Sequence, residues 1–373
     1  MNLTDRLYVA VHVALTLLVC VRWQQVEHWR RYVAWNLIAI AVIMLFASQK
    51  REGTAWEFAH DWFPVVLFTS VFEEVSFLSL SLLGSWQEAH IIRFESLVFP
   101  APPIVLLRGG PIRHVSEVLE LGYFWFYPLY PLVAGVLWGW RTRPRYRDAF
   151  RQMTDAISIG YLPCYAAYLL FPTQSPRGAS AIRQLTATDH GPFHFLVGLI
   201  QHNAGVHGNA FPSAHIMLAF VVLVFAWRYL PQSAPWLLLL NILMCLGAVY
   251  DGYHYASDVV AGALIGLIVA ILSLRQHKGD DFVPKLSRRL RGWWCFAGRR
   301  SSSILRAHIR IWLRGLHRRC DIGSTVSLLI TLPANDSGLH ARTRHHAPAR
   351  LRPSGRSGCR PPQGESVGLA SLM

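Results

Sequence analysis

Eight apolar runs, at roughly 7–21, 33–48, 62–83, 123–139, 155–171, 212–230, 235–250 and 255–274, are each of membrane-spanning length or close to it. That leaves few architectures open, because a backbone in hydrocarbon must satisfy its own hydrogen bonds and a continuous apolar segment does so as a helix. The expected fold is therefore all-α, a polytopic transmembrane helical bundle of about six to eight spans. Hydrophobic residues make up 53% of the chain and charged residues 15%, against about 25% charged in an ordinary soluble protein, which rules out a disordered or fibrous chain. The third run is the weakest, since Glu73 and Glu74 sit in its middle. Acids at that depth either serve a site, here by binding an acceptor hydroxyl, or hold the bundle together. The stretch from Phe99 to Leu107, with three prolines, reads as re-entrant or interfacial.

The net charge of +15 invites a nucleic-acid reading, but its location argues otherwise. From Arg275 onward there are 19 Lys/Arg against 5 Asp/Glu, which leaves 17 against 16 upstream. The basicity belongs to a tail, residues 276–373, rich in Arg, Ser, Pro and Gly and expected to be mostly disordered. Its clusters, such as Arg314, Arg318 and Arg319, suit anionic cytoplasmic lipid at about 1 kcal/mol per residue near the surface. No nucleic-acid partner is expected.

Orientation follows from basic loops. The segment Arg141 to Arg147 and the segment from Arg275 are both strongly positive and are separated by an even number of runs, so the positive-inside rule places both in the cytoplasm. The loop of about residues 172–211 and the turn at Asp251 to His254 then face the extracytoplasmic side. Arg22, Arg30 and Arg31 resist this scheme, because eight spans would put them outside, so the N-terminal parity stays open. Leu7 to Val21 has the length of a signal-peptide core, but Arg22-Trp23-Gln24-Gln25 follows it without a small-residue cleavage site, and a retained span is expected. The six cysteines are scattered with no C-x-x-C pair, which suggests neither a disulfide framework nor a zinc site.

Two short stretches carry the chemistry. Asn209-Ala210-Phe211-Pro212-Ser213-Ala214-His215 opens one run, and Tyr250-Asp251-Gly252-Tyr253-His254-Tyr255-Ala256-Ser257-Asp258 opens another. A helix start offers free amides, a natural anion site, to which Ser213 adds a hydroxyl and His215 a titratable proton. Ser213 also has the ordinary alternative of capping the helix. His254 and Asp258 are four apart and share a helix face, so the carboxylate can accept the Nδ1 proton and leave Nε2 as an oriented nucleophile. The 39 residues between the two histidines make about two crossings and a turn, which returns the chain to the same membrane surface.

A histidine nucleophile, a second histidine for the leaving oxygen and an amide cradle fit phosphoryl transfer through a phosphohistidine. Arg177, in Phe171-Pro172-Thr173-Gln174-Ser175-Pro176-Arg177-Gly178, is the first candidate for binding the phosphate oxygens, and Arg183 a weaker second. His190, His194, His202 and His207 crowd the same loop without ligand spacing and read as solvated residues rather than a zinc site. Asn203 and Asn209 read as turn formers, and Asp251 would repel phosphate unless an arginine pairs with it.

Pro212-Ser213-Ala214-His215 followed by His254-Tyr255-Ala256-Ser257-Asp258 resembles the paired P-S-x-H and H-x-x-x-D motifs of the type 2 phosphatidic acid phosphatase and haloperoxidase superfamily. The resemblance covers roughly residues 150 to 275. It implies a phosphatase-type catalytic helix core in which His254 is the nucleophile, Asp258 its orienting partner and His215 the acid, with no metal or cofactor. Two features depart from the superfamily's pattern: no lysine precedes Arg177, and Gly247-Ala248 stands where Ser-Arg is usual. Phe-Pro-Ser-x-His with His-Tyr-x-x-Asp looks more like the branch of inositol phosphorylceramide synthases and their bacterial relatives, which move a phospho-head group between lipids.

The organisation expected is N-terminal membrane spans over 1–150, a catalytic membrane domain over 151–275 and the tail over 276–373. The function expected is a metal-independent lipid phosphotransferase, with a membrane lipid as donor and a lipid hydroxyl or water as acceptor. A lipid phosphate or polyprenyl diphosphate phosphatase is the alternative within enzymes, and a transporter or non-catalytic scaffold the alternative outside them.

Overall fold

A computed structural model of the chain describes residues 1–49, 55–109, 116–178, 191–204 and 208–275. The tail 276–373 and, upstream, Arg183, His190 and His207 lie outside the described residues, and so do the expectations attached to them. The described residues form twelve α-helices. These are α1 Leu3–Val21, α2 Trp29–Ser48, α3 Ala55–Leu83, α4 Glu88–Val98, α5 Pro103–Gly109, α6 Ser116–Phe124, α7 Phe126–Gly139, α8 Pro144–Leu170, α9 Pro192–Ala204, α10 Ala214–Tyr229, α11 Ala234–Tyr250 and α12 Ala256–Arg275.

Helices α1, α2, α3 and α12 are long and apolar enough to cross a membrane, and the bent pair α4–α5 makes a fifth candidate. The other expected runs fall in shorter apolar helices, α7, α10 and α11, of 14, 16 and 17 residues, and in α8. At 1.5 Å per residue those three rise only about 21–26 Å, so interfacial residues at their ends must complete a crossing. Helix α8 has 27 residues but carries Arg145, Arg147, Asp148, Arg151 and Asp155 in its first half, which lowers its hydropathy below that of a plain span. Local chemistry sets several helix ends. Asn2 and Asp5 exchange hydrogen bonds in a capping box at the start of α1, and Pro144 and Pro235 occupy first-turn positions of α8 and α11, where a missing N–H costs nothing.

The bundle is built around α10, which is buried along nearly its whole length and packs on α7, α8, α11 and α12. Two ends of the bundle can be told apart by their contacts. At one end, the α7–α8 connection faces the start of α3, where Glu57 lies 4.0 Å from Arg141 and 3.8 Å from Arg147 and Trp138 donates to Asp61 at 3.0 Å. The other end gathers the C-termini of α8 and α11 and the N-termini of α10 and α12: Tyr168 donates to the Pro212 carbonyl at 2.7 Å, and the Arg177 amide donates to the Gly252 carbonyl at 3.1 Å. This second end holds the candidate site.

Glu74 is buried and accepts from Asn36 Nδ2 at 2.7 Å, and Asn36 Oδ1 in turn meets Nδ1 of the fully buried His12. Of the two roles expected for this acid, the contacts are those of bundle cohesion, since the chain His12–Asn36–Glu74 ties α1, α2 and α3 together through groups that have no water to turn to.

The pair α4–α5 bends by 55° at Phe99–Pro102, the proline-rich stretch noted in the sequence. Its contacts separate a crossing from a segment that stays at one end of the bundle. The Gln87 amide, just before α4, donates to the Pro172 carbonyl at 2.8 Å, and Arg108, near the end of α5, donates through Nε to the Tyr250 carbonyl at 2.8 Å. Pro172 and Tyr250 follow or end helices that finish at the same end of the bundle, so both ends of the pair lie at the site end, as a re-entrant or interfacial segment requires. In a background without native cysteines, Ser85→Cys and Gly109→Cys should react with an impermeant maleimide from the same side of the membrane. Labelling from opposite sides would show a crossing instead.

Candidate active site

Ser213 is the N-cap of α10, in an extended conformation that turns its hydroxyl back to accept from the Ile216 amide at 3.3 Å. The neighbouring amides are also taken: Ser213 N donates to the Asp258 carbonyl at 3.1 Å, and Ala214 N to the Tyr168 hydroxyl at 3.2 Å. The anion cradle expected at this helix start is thus largely occupied by the protein itself. Ser213 is both a cap and a site residue, because its Oγ also lies 3.1 Å from Nε2 of His254.

His254 sits in the turn between α11 and α12, 5% exposed, with its amide bonded to the Ala248 carbonyl at 2.9 Å. Nδ1 lies 3.1 Å from the Ala210 carbonyl and 3.5 Å from Oδ2 of Asp258. The sequence spacing predicts the carboxylate as partner, and the structure places it within ion-pair range but puts a backbone oxygen closer. A carbonyl can only accept, so Nδ1 carries the proton and Nε2 keeps its lone pair, facing the Ser213 hydroxyl. Burial pushes the His254 imidazole down to about 4, a shift that its bond to Ala210 partly opposes. The ring is neutral at neutral pH.

Asp258 is fully buried in the first turn of α12. Its Oδ2 accepts the Tyr255 amide at 2.8 Å, so it caps the helix that carries it, while Oδ1 has no hydrogen-bond partner. His215, in the first turn of α10, is half-buried with its ring centre 6.0 Å from that of His254, in a wall made by Phe126 at 4.4 Å, Phe72 at 5.9 Å and Tyr123 at 6.3 Å. The two histidines, Ser213 and Asp258 are therefore brought together as the motif spacing predicts.

Arg177 reaches the same corner from a short 3₁₀ turn, Pro176–Gly178. Its Nε donates to the Asp251 carbonyl at 2.5 Å, its guanidinium lies 3.9 Å over the ring of Tyr253, and Nη2 is 3.6 Å from Oε1 of Glu120. Asp251 does pair with an arginine, Arg108, at 3.5 Å, which removes the objection that its charge would repel phosphate. Among the described residues no group of three or more His, Cys, Asp or Glu side chains is arranged to hold a metal ion. Asn209 has a left-handed φ of +60°, and its side chain donates to the Phe72 carbonyl at 3.1 Å.

Sequence reasoning missed the acids and the second arginine around this corner. Glu120 on α6 is fully buried and accepts from Tyr253 Oη at 2.9 and 3.0 Å, while its Oε1 lies 2.9 Å from Nδ1 of His194. His194 is thus a docked residue rather than a solvated one, whereas His202 is exposed. Glu95 on α4 accepts from the Ser257 amide at 2.8 Å and its hydroxyl at 2.9 Å, so the α4–α5 pair grips the His254 turn at both ends, through Glu95 and through Arg108. The available signal was a buried-looking acid in an apolar helix, as for Glu73 and Glu74.

The segment that builds this corner also matches known proteins. Residues 93–272 match the family model described as the PAP2 superfamily. The match begins at 93, so it takes in most of α4 and all of α5 to α7 as well as the motif helices. Over 171 residues the chain is 27% identical to the Escherichia coli (strain K12) protein named "Putative undecaprenyl-diphosphatase YbjG", covering 45% of this chain and 76% of that one. No solved structure matches. The resemblance read from the motifs thus agrees with a match to the PAP2 superfamily model over residues 93–272 and with a relative named a putative diphosphatase; the narrower likeness to inositol phosphorylceramide synthases is not shown.

What holds this site together is the approach of α12 to α10. A Cβ at Gly262 would stand 2.3 Å from the Ser213 carbonyl oxygen, and one at Gly266 would stand 2.3 Å from that of Met217. Only glycine lets the two backbones meet this closely. Gly262→Ala should therefore cost about 1–3 kcal/mol of stability and lower turnover, although residue 262 touches no substrate. Thermal unfolding and activity of the purified variant would check both, and an unchanged protein would mean that the helices do not need this contact.

Proposed function

We propose that the protein is a membrane phosphatase for lipid-borne phosphate or diphosphate that works through a phosphohistidine at His254. The observation that carries the reading is the state of that imidazole: neutral, buried, with Nδ1 tied to Ala210 and Asp258 and Nε2 left to react. Nε2 attacks phosphorus, the bond to the leaving oxygen breaks, and that oxygen takes a proton from His215, across the pocket wall. Water, losing its proton to His215, then attacks the phosphohistidine and releases inorganic phosphate. Arg177 neutralises the phosphate oxygens, Ser213 donates to one of them in place of Nε2, and Asp258 stabilises the charge that builds on the imidazole.

The PAP2 match and the diphosphatase name of the relative favour hydrolysis over transfer of a head group to a lipid alcohol. The leading expectation from the sequence, head-group transfer, needs no different residues, only an alcohol in place of water in the second step. The site end of the bundle lies opposite the basic Arg141 to Arg147 connection, so the positive-inside rule puts the site on the extracytoplasmic face.

Purified protein in EDTA should release inorganic phosphate from phosphatidic acid or a polyprenyl diphosphate, and His254→Ala should lose about 10³-fold or more of that rate, with Asp258→Asn losing about 10²-fold or more. Label appearing in a new lipid when ceramide or diacylglycerol is supplied would favour transfer. Equal rates in wild type and His254→Ala across both substrates would overturn the reading.

A further inference from the structure

The arginine at the site has a partner that no motif explains. Arg177 is fixed on three sides without using Nη2: its amide bonds to Gly252, its Nε to Asp251, and its plane lies over Tyr253. Nη2 is buried and forms no hydrogen bond, yet it stands 3.6 Å from a carboxylate oxygen of Glu120. That carboxylate already accepts from better-placed donors, the Tyr253 hydroxyl shared by both oxygens and His194 on Oε1. The charges are therefore close enough to compensate one another and too far apart to close a hydrogen bond.

A buried guanidinium without any counter-charge is costly, and one tied into a bidentate carboxylate pair has no N–H left for a ligand. The arrangement here avoids both. We propose that Glu120 is a positioning residue that serves as a resident counter-charge for Arg177, holding the arginine in place while the site is empty and competing with phosphate for it, so that the inorganic phosphate product is released. This rests on the reading of Arg177 as a phosphate ligand. Glu120 touches no substrate; it acts through Arg177 and through Tyr253, which both of them contact.

The test is equilibrium binding of labelled inorganic phosphate to the full chain in detergent. Arg177→Met should abolish the binding seen in wild type. Glu120→Gln keeps an oxygen for Tyr253 and removes the charge, so it should bind phosphate tighter, by about tenfold, and the product-inhibition constant in turnover should fall in step. A purely structural role would leave binding unchanged or weaken it. If Arg177→Met abolishes binding but Glu120→Gln does not tighten it, the counter-charge role is wrong and the phosphate reading stands. If Arg177→Met binds as wild type does, the reading of Arg177 fails and the proposal falls with it. Thermal unfolding of both variants, with Glu120→Asp as a charge-preserving control expected to bind as wild type does, separates these outcomes from misfolding.

Discussion

Everything at the site end of the bundle depends on how near α12 comes to α10. The Ser213 amide donates to the Asp258 carbonyl across that contact, and Gly262 and Gly266 leave room for the carbonyls of Ser213 and Met217. Because the two helices start at the same end, this one contact sets four side chains against each other. Ser213 and His215 open α10, Asp258 opens α12, and His254 sits in the turn before it. In hydrocarbon such packing replaces the hydrophobic driving force that would hold helices together in water, so the glycines are as much a part of the site as the histidines.

Around that contact many of the polar groups buried near the site find long-range partners, while Asp258 Oδ1 and Arg177 Nη2 form no hydrogen bond. The His254 turn is gripped by Glu95 and Arg108 from the α4–α5 pair, Arg177 is held by Asp251, Tyr253 and Glu120, and Tyr168 bonds both sides of the Pro212–Ala214 corner. Fixed dipoles and charges of this kind cost no reorganisation when charge develops beside them, which is how the proposed phosphate chemistry would draw on them. The N-terminal helices follow the same rule further from the chemistry, where Asn36 bridges His12 and Glu74.

How much of this was legible in the sequence follows from the distance over which each feature is encoded. The helices were legible because apolar length is local, and His215, Ser213, His254 and Asp258 because Pro-Ser at a helix start and an i,i+4 pair are local too. Arg177 was found by its place after a run. Glu120, Glu95 and Arg108 were not, since their partners lie 133, 162 and 142 residues away and no spacing announces them. The free amide cradle was expected and is mostly filled, because the hydroxyl that takes the Ala214 amide comes from Tyr168, 46 residues upstream. Asp258 was placed correctly, but the nearer acceptor for Nδ1 is the Ala210 carbonyl, a backbone atom with no side-chain signature.

The central claim is a covalent one, and it is tested most directly by trapping the intermediate. Wild-type protein mixed with phosphorus-labelled lipid substrate, quenched in alkali within the first turnovers and digested, should yield a labelled peptide bearing phosphohistidine at His254, stable to base and lost in acid. Label on a different residue, or turnover with no labelled protein at any quench time in wild type or in His215→Ala, where the second step is slowed, would contradict it.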